Sequence, residues 1–247
     1  MSKKKCLFLG YSERETKLIN IIKKRGWLVN QKKSALKELN LSKYDLILSY
    51  GYKHIISDKI IKKLKRPVIN LHIGYLPYNK GSHPNLWSFL DQTPSGISIH
   101  EINSDIDAGP IIFKKIIEFN KSNLTFFQTY NRLRIEIETL FIENIDKLLN
   151  YNYSTIKQRK GGTIHYKKDL EILKKYKIFK GWNHKIISTI KAYDNYNKKI
   201  KKEKLSIIDE IEKTRTKNNI NWMDLLRNSY NSSPKKTMEI LKKINND

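Results

Sequence analysis

A chain of 247 residues, 39% of them hydrophobic and 11% aromatic, is long enough to bury a core and too apolar to stay disordered. No apolar run reaches the roughly 18–20 residues that span a bilayer, and the one cysteine, Cys6, excludes a disulfide framework or a thiolate zinc site. Lys and Arg outnumber Asp and Glu by 49 to 24, a net charge of +25 that would attract polyanions, but the lysines are spread along the chain rather than banded on one helix.

The basic start at Met1 is followed only by a short apolar run from Cys6 to Gly10, too brief for a signal peptide, so the expected location is the cytoplasm. Residues 5–10 read as a first strand. Residues 13–25 carry Leu18, Ile19, Ile21 and Ile22 at near-helical spacing and stop at Gly26. A short strand follows at 27–29, then a helix or turn at 35–41, a buried strand at 44–50 and a helix at 57–65 capped by Ser57. Strand 67–69 leads into Asn70, Leu71 and His72. A helical segment covers 85–90, and strands cover 96–101 and 111–119. Between those two strands lies a turn-rich loop, 103–109. A long amphipathic helix is expected over 125–149, with Phe127, Tyr130, Leu133, Ile137, Leu140, Phe141 and Leu148 on its apolar face. The alternation of strand and helix predicts an α/β fold with a doubly wound, parallel sheet. Beyond it, 158–166 reads as a short β excursion with a glycine pair, and 169–247 as several basic helices. The boundary is placed after residue 156, giving a core at 1–156 and an extension at 157–247.

Open α/β sheets hold their ligands at strand ends. Asn70 and His72 stand two apart in a strand and therefore point the same way. An amide that can hold an oxyanion beside an imidazole that handles protons suits acyl-type transfer. Asp107 lies 35 residues further on, in a loop where Asp105 and Asp107 read equally well as turn formers or as site carboxylates. The residues alone lead to an α/β enzyme with an Asn/His/Asp site.

Asn70-Leu71-His72 at a strand end, followed by Asp107-Ala108-Gly109, resembles the formyltransferases that use N10-formyltetrahydrofolate. The stretch LHIGYLPYNKGSHPNLWSF is similar to the Rossmann-like branch that N-formylates nucleotide-linked amino sugars. Residues 159–169 resemble that branch's β-hairpin, and 218–227 its C-terminal tail. The resemblance implies Asn70, His72 and Asp107 as the catalytic residues. It implies that Tyr52, Lys53, His54, Ile55 and Ile56, with Asn103, Ser104, Asp105 and Ile106, hold the folate co-substrate. It implies sugar-nucleotide contacts from Tyr11, Ser12, Tyr78, Asn79, Lys80, Asn85 and Trp87, and it implies no metal. The chain departs from the pattern at Gly10-Tyr11-Ser12-Glu13, which lacks the glycine-rich phosphate loop of the purine branch, and at His83, where the sugar branch carries an acid.

The resemblance therefore implies a cytoplasmic, homodimeric sugar N-formyltransferase acting without membrane or nucleic-acid partners. The implied acceptor is dTDP-4-amino-4,6-dideoxyglucose, destined for surface polysaccharide such as O-antigen. Two other readings make different predictions. A methionyl-tRNA formyltransferase would carry a tRNA-binding barrel after this core. A basic nucleic-acid-binding protein would give no reason for Asn70, His72 and Asp107.

Overall fold

The computed structural model describes residues 3–36, 41–120 and 123–244. Its central sheet has six strands in the order β2-β1-β3-β4-β6-β7. The strands are β1 (Lys5–Gly10), β2 (Leu28–Lys32), β3 (Leu46–Tyr50), β4 (Ile69–His72), β6 (Gly96–Glu101) and β7 (Ile111–Ile116). The first four run parallel, as the strand–helix alternation predicts. β6 and β7 run antiparallel, which corrects the all-parallel expectation for this end of the sheet. The chain returns to β4 from the opposite direction after the loops and α3 (Pro84–Leu90) that separate β4 from β6.

Alternation along the strands builds a core on each face of the sheet. On β1, Cys6 and Phe8 join one cluster with Leu18, Ile22, Leu133, Ile137 and Phe141, while Leu7 and Leu9 join the other with Ile56, Ile60 and Val68. The first cluster is closed by α1 (Leu18–Lys24), α4 (Phe126–Glu143) and α5 (Ile145–Leu149), and the second by α2 (Asp58–Ile61). The helix expected at 13–25 begins only at Leu18, because Ser12 turns the chain by donating from its backbone N–H and its hydroxyl to Glu15. Ser57 occupies the N-cap of α2 without a side-chain cap bond. The single helix expected at 125–149 is two, broken where the Asn144 amide donates to the Leu140 carbonyl and ends the ladder. α4 starts with a capping box in which Thr125 and Gln128 bond each other's backbone N–H groups. Of its expected apolar face, Leu133, Ile137 and Phe141 are buried, whereas Phe127 is exposed. The 35–41 prediction falls largely outside the described residues.

The expected hairpin near Gly161 takes another form. A two-residue strand, β8 (Ile164–His165), pairs in parallel with β5 (Lys80–Gly81), far away in sequence. α6 (Lys167–Lys175), α7 (Ile186–Ser232) and α8 (Pro234–Ile244) follow. The chain forms two compact units, Met1–Tyr193 and Asp194–Asp247, so the boundary expected after residue 156 lies inside the first. Gln158 explains why: its amide donates to the carbonyls of Asp107 and Gly109 and ties this segment to the sheet. In the second unit, the Ser229 and Thr237 hydroxyls bond at 3.0 Å where α8 follows α7.

Candidate active site

Asn70 on β4 and His100 on β6 are direct partners across the antiparallel register, so both side chains leave the same face side by side. A register shift beside His100 disturbs its pairing with β7, a common means of aiming a side chain at a site. His100 Nδ1 lies 2.7 Å from the Glu101 carbonyl oxygen and so carries the proton. Its bare Nε2, 3.0 Å from Asn70 Nδ2, accepts one amide hydrogen. The other amide hydrogen reaches Asp107 Oδ1 at 3.3 Å. The Asn70 amide is thereby fixed in one orientation, with Nδ2 toward Asp107.

His72 points the same way two residues later, deeper in the molecule. Its Nε2 donates to the Asn79 carbonyl at 2.9 Å, leaving Nδ1 bare, 3.5 Å from Asp107 Oδ2. Burial holds its pKa below the ordinary imidazole value, opposed by the negative charge of Asp107 and reinforced by His100. His72 therefore sits neutral beside an ionised carboxylate, with its open nitrogen aimed at that charge.

Asp107 resolves the ambiguity of its loop: the turn brings its side chain back to the sheet edge. It has φ +47, a left-handed conformation that Asp tolerates better than most residues. The Gln158 bonds hold that conformation from one side, and the Gly81 N–H donates to Oδ2 at 2.9 Å from the other. Burial by itself would raise the carboxyl pKa, but the polar groups around the carboxylate, the donating Gly81 N–H among them, outweigh it and hold Asp107 well below the usual carboxylate range. Gly109 closes the motif because a Cβ there would lie 1.8 Å from the Glu101 carbonyl oxygen.

Asn70 and Asp107 open onto a cleft of about 650 Å³. All nine residues expected to hold the folate line it: Tyr52 to Ile56 from the loop after β3, and Asn103 to Ile106 from the loop before Asp107. Lys167 and Lys168 complete the wall, giving an apolar and polar lining with cations at the rim.

The seven residues expected to bind the sugar nucleotide are not gathered on this cleft. Lys80 lines an adjoining cavity that shares Ser104, Asp105, Ile106 and Tyr166 with it. Tyr11 packs edge-on against Tyr50 and bonds Tyr130, and Ser12 bonds Glu15. The Tyr78 N–H closes a turn onto the Tyr75 carbonyl. Asn79 is buried between Thr93 and Thr163, and Asn85 is buried with its amide on the Phe126 carbonyl. Trp87 is buried and stacked on His165, with ring centroids 3.8 Å apart.

Four positions about the site were not anticipated: His100, Gly81, Gln158 and His165. The signal for His100 was present, since Ser98 and His100 are the polar pair in phase on an otherwise apolar buried strand. The other three act through contacts between distant segments. His165 Nε2 lies 2.6 Å from Asp91 Oδ2, and its backbone carbonyl accepts from the Ser82 N–H, so the Trp87–His165–Asp91 cluster clamps β8 onto β5 and with it Gly81. His83, the departure from the sugar-branch pattern, caps α3 and lies beside Trp182, with burial and nearby Lys174 and Lys167 lowering its pKa.

A family model described as formyl transferase matches residues 1–145. A dTDP-4-amino-4,6-dideoxyglucose formyltransferase of Mycobacterium tuberculosis is 30% identical over 138 residues, 55% of this chain and 56% of that protein. A methionyl-tRNA formyltransferase of Fusobacterium nucleatum is 30% identical over 126 residues, 51% of this chain and 40% of that protein. The chain thus spans about half the length of the curated relatives it matches. Among solved structures, the formyltransferase PseJ from Anoxybacillus kamchatkensis, in complex with UDP-4,6-dideoxy-4-formamido-L-AltNAc and tetrahydrofolate, is 37% identical with a TM-score of 0.71. That alignment covers 76% of this chain and 99% of PseJ.

Proposed function

We propose that this chain, which belongs to the formyl transferase family, moves a formyl group from N10-formyltetrahydrofolate to the amine of a nucleotide-linked 4-amino-4,6-dideoxyhexose. The observation that carries the reading is the meeting of Asn70 and His72 on one strand with Asp107 from a distant loop, where Asn70 and Asp107 line one cleft. The cleft fits a folate in size and in its loop-built walls, and the folate supplies an already activated one-carbon unit.

In this reading the neutral sugar amine attacks the formyl carbon. The Asn70 amide turns its hydrogen from Asp107, the longer of its two bonds, toward the developing oxyanion. The bare Nδ1 of His72 takes up a proton released by the amine, directly or through water, and Asp107 stabilises the imidazolium that results. The proton then leaves with the folate nitrogen as the tetrahedral centre collapses. His100 keeps the amide oriented throughout.

The 4-amino-4,6-dideoxyhexose is the chemistry shared by the substrate named for the mycobacterial relative and the sugar in the PseJ complex. The resemblance in sequence favours dTDP-4-amino-4,6-dideoxyglucose and a role in surface polysaccharide synthesis, carried out in the cytoplasm. The test is a panel of 3- and 4-amino sugar nucleotides, dTDP- and UDP-linked, with methionyl-tRNA beside them, each incubated with enzyme and formyl-folate and read by mass spectrometry. Gain of one formyl group on a 4-amino sugar supports the proposal. Formylation of methionyl-tRNA alone would overturn it.

A further inference from the structure

We propose that the exposed stripe of α7 in the second unit pairs with the same stripe of a second copy of this chain, antiparallel, about a two-fold axis between Ile207 and Ile208. The inference is independent of formyl transfer. α7 is unbroken through this region, and at 3.6 residues per turn the positions 197, 200, 204, 207, 208, 211, 215 and 218 share one side of it. In order they are Asn, Ile, Lys, Ile, Ile, Ile, Arg and Asn. Ile207, Ile208 and Ile211 are 56%, 57% and 51% exposed. Among the described residues of this unit, Thr237 is the only buried side chain. Three half-exposed isoleucines in five positions leave a contiguous apolar stripe in water, which covering would remove from it.

The stripe itself indicates what the cover is, because its spacing reads the same in both directions. Antiparallel pairing about the 207/208 axis sets Ile207 on Ile208, Lys204 on Ile211, Ile200 on Arg215 and Asn197 on Asn218, each twice. Each cation lays its aliphatic stem on an isoleucine and keeps its head in water. The asparagine pairs fix the register, as buried polar positions do in helical zippers. At one flank Lys201 comes beside Glu212 of the second copy, again twice. Parallel pairing in register would instead set Lys204 on Lys204 and Arg215 on Arg215, so charge selects the antiparallel arrangement. The paired length, from residue 197 to 218, is about 31 Å, or three heptads.

The test uses the full chain with Asn197→Cys and Asn218→Cys made separately. Native Cys6 is buried, so the introduced thiol is the reactive one. Under mild oxidation each variant alone should give only background dimer, because equivalent residues of the two copies lie about 31 Å apart. An equimolar mixture should give at least about tenfold more disulfide-linked dimer, as expected when pairing raises the effective thiol concentration. Adding Ile207→Asp and Ile208→Asp to both variants should return the mixture to background. Cross-linking by either variant alone, or a mixture no better than its components, would overturn the proposal. So would co-sedimentation of unlinked chain with anionic phosphatidylserine vesicles that Ile207→Asp with Ile208→Asp abolishes, which would assign the stripe to a membrane surface.

Discussion

The Asn70 amide has both of its hydrogens engaged, by His100 and by Asp107, so the site is built to aim a donor as well as to supply one. Asn70→Ala removes the donor and should lower kcat by about 10²–10³-fold with the fold intact, as for other oxyanion donors. His72→Ala and Asp107→Ala should fall as far, measured as steady-state formyl transfer. His100→Ala leaves the donor in place but free to turn. We expect about a 10²-fold loss confined to kcat, the size typical of a catalytic group misplaced by an ångström. Proton linkage at this site runs in one direction. Asp107, with its pKa held low, stabilises the fold above the ordinary carboxylate range and loses that contribution as pH falls through it. His72, also held low, binds its proton more readily in the unfolded chain, so stability also falls as pH drops below about 6.5. A His72→Gln variant should lose the acid sensitivity between about pH 5 and 6.5, as read by urea melts across pH. The acid limb of kcat/KM should lie below the ordinary imidazole value, and Asp107→Asn should move it lower, because the carboxylate is what raises the His72 pKa.

Among the elements, the two-residue pair β5–β8 has the largest consequences for its size. Gly81 has φ +83, and a Cβ there would lie 2.2 Å from the His165 carbonyl oxygen. Gly81→Ala should therefore part β8 from β5 and withdraw the N–H that steadies Asp107. The expected cost is about 1–3 kcal/mol of stability, together with a loss of turnover. Thr125→Ala, remote from the cleft, should cost about 1 kcal/mol through its cap and leave kcat unchanged, so denaturation and kinetics on the two variants separate packing from chemistry. The elements legible in the sequence were those with a local cause. β6 was predicted residue for residue because Ile97 and Ile99 alternate with polar neighbours between turn signals. α4 showed its 3.6-residue period. β8 was legible only as a β-like patch, since its partner lies more than eighty residues away and no local pattern encodes that register.

For the whole molecule, the charge of +25 sets a field that draws anions toward the cleft, where Lys53, Lys167 and Lys168 stand. Raising ionic strength from about 0.05 M to about 0.5 M should raise the KM for the proposed sugar-nucleotide acceptor several-fold and leave kcat nearly constant, since screening weakens attraction to the acceptor's diphosphate and not the buried Asn70–His72–Asp107 contacts. A kcat that fell with KM unchanged would show that salt acts on the site itself. The same field accounts for the difficulty of reading function from composition, since lysines in every segment attract any polyanion equally.

Taken alone, the sequence determined the α/β alternation, the apolar faces that bury the sheet, and the identity of Asn70 and His72 as a same-facing pair, because strand and helix periods are local properties of the chain. It also supplied the resemblance that singled out Asp107 and the two loops lining the cleft. Only the tertiary structure decided that the sheet ends antiparallel, that His100 faces Asn70, that Gly81 and Gln158 hold Asp107, and that Asn79, Asn85 and Trp87 are buried. Each of those depends on which distant segments meet, and register between distant segments is set by the packing of the whole core.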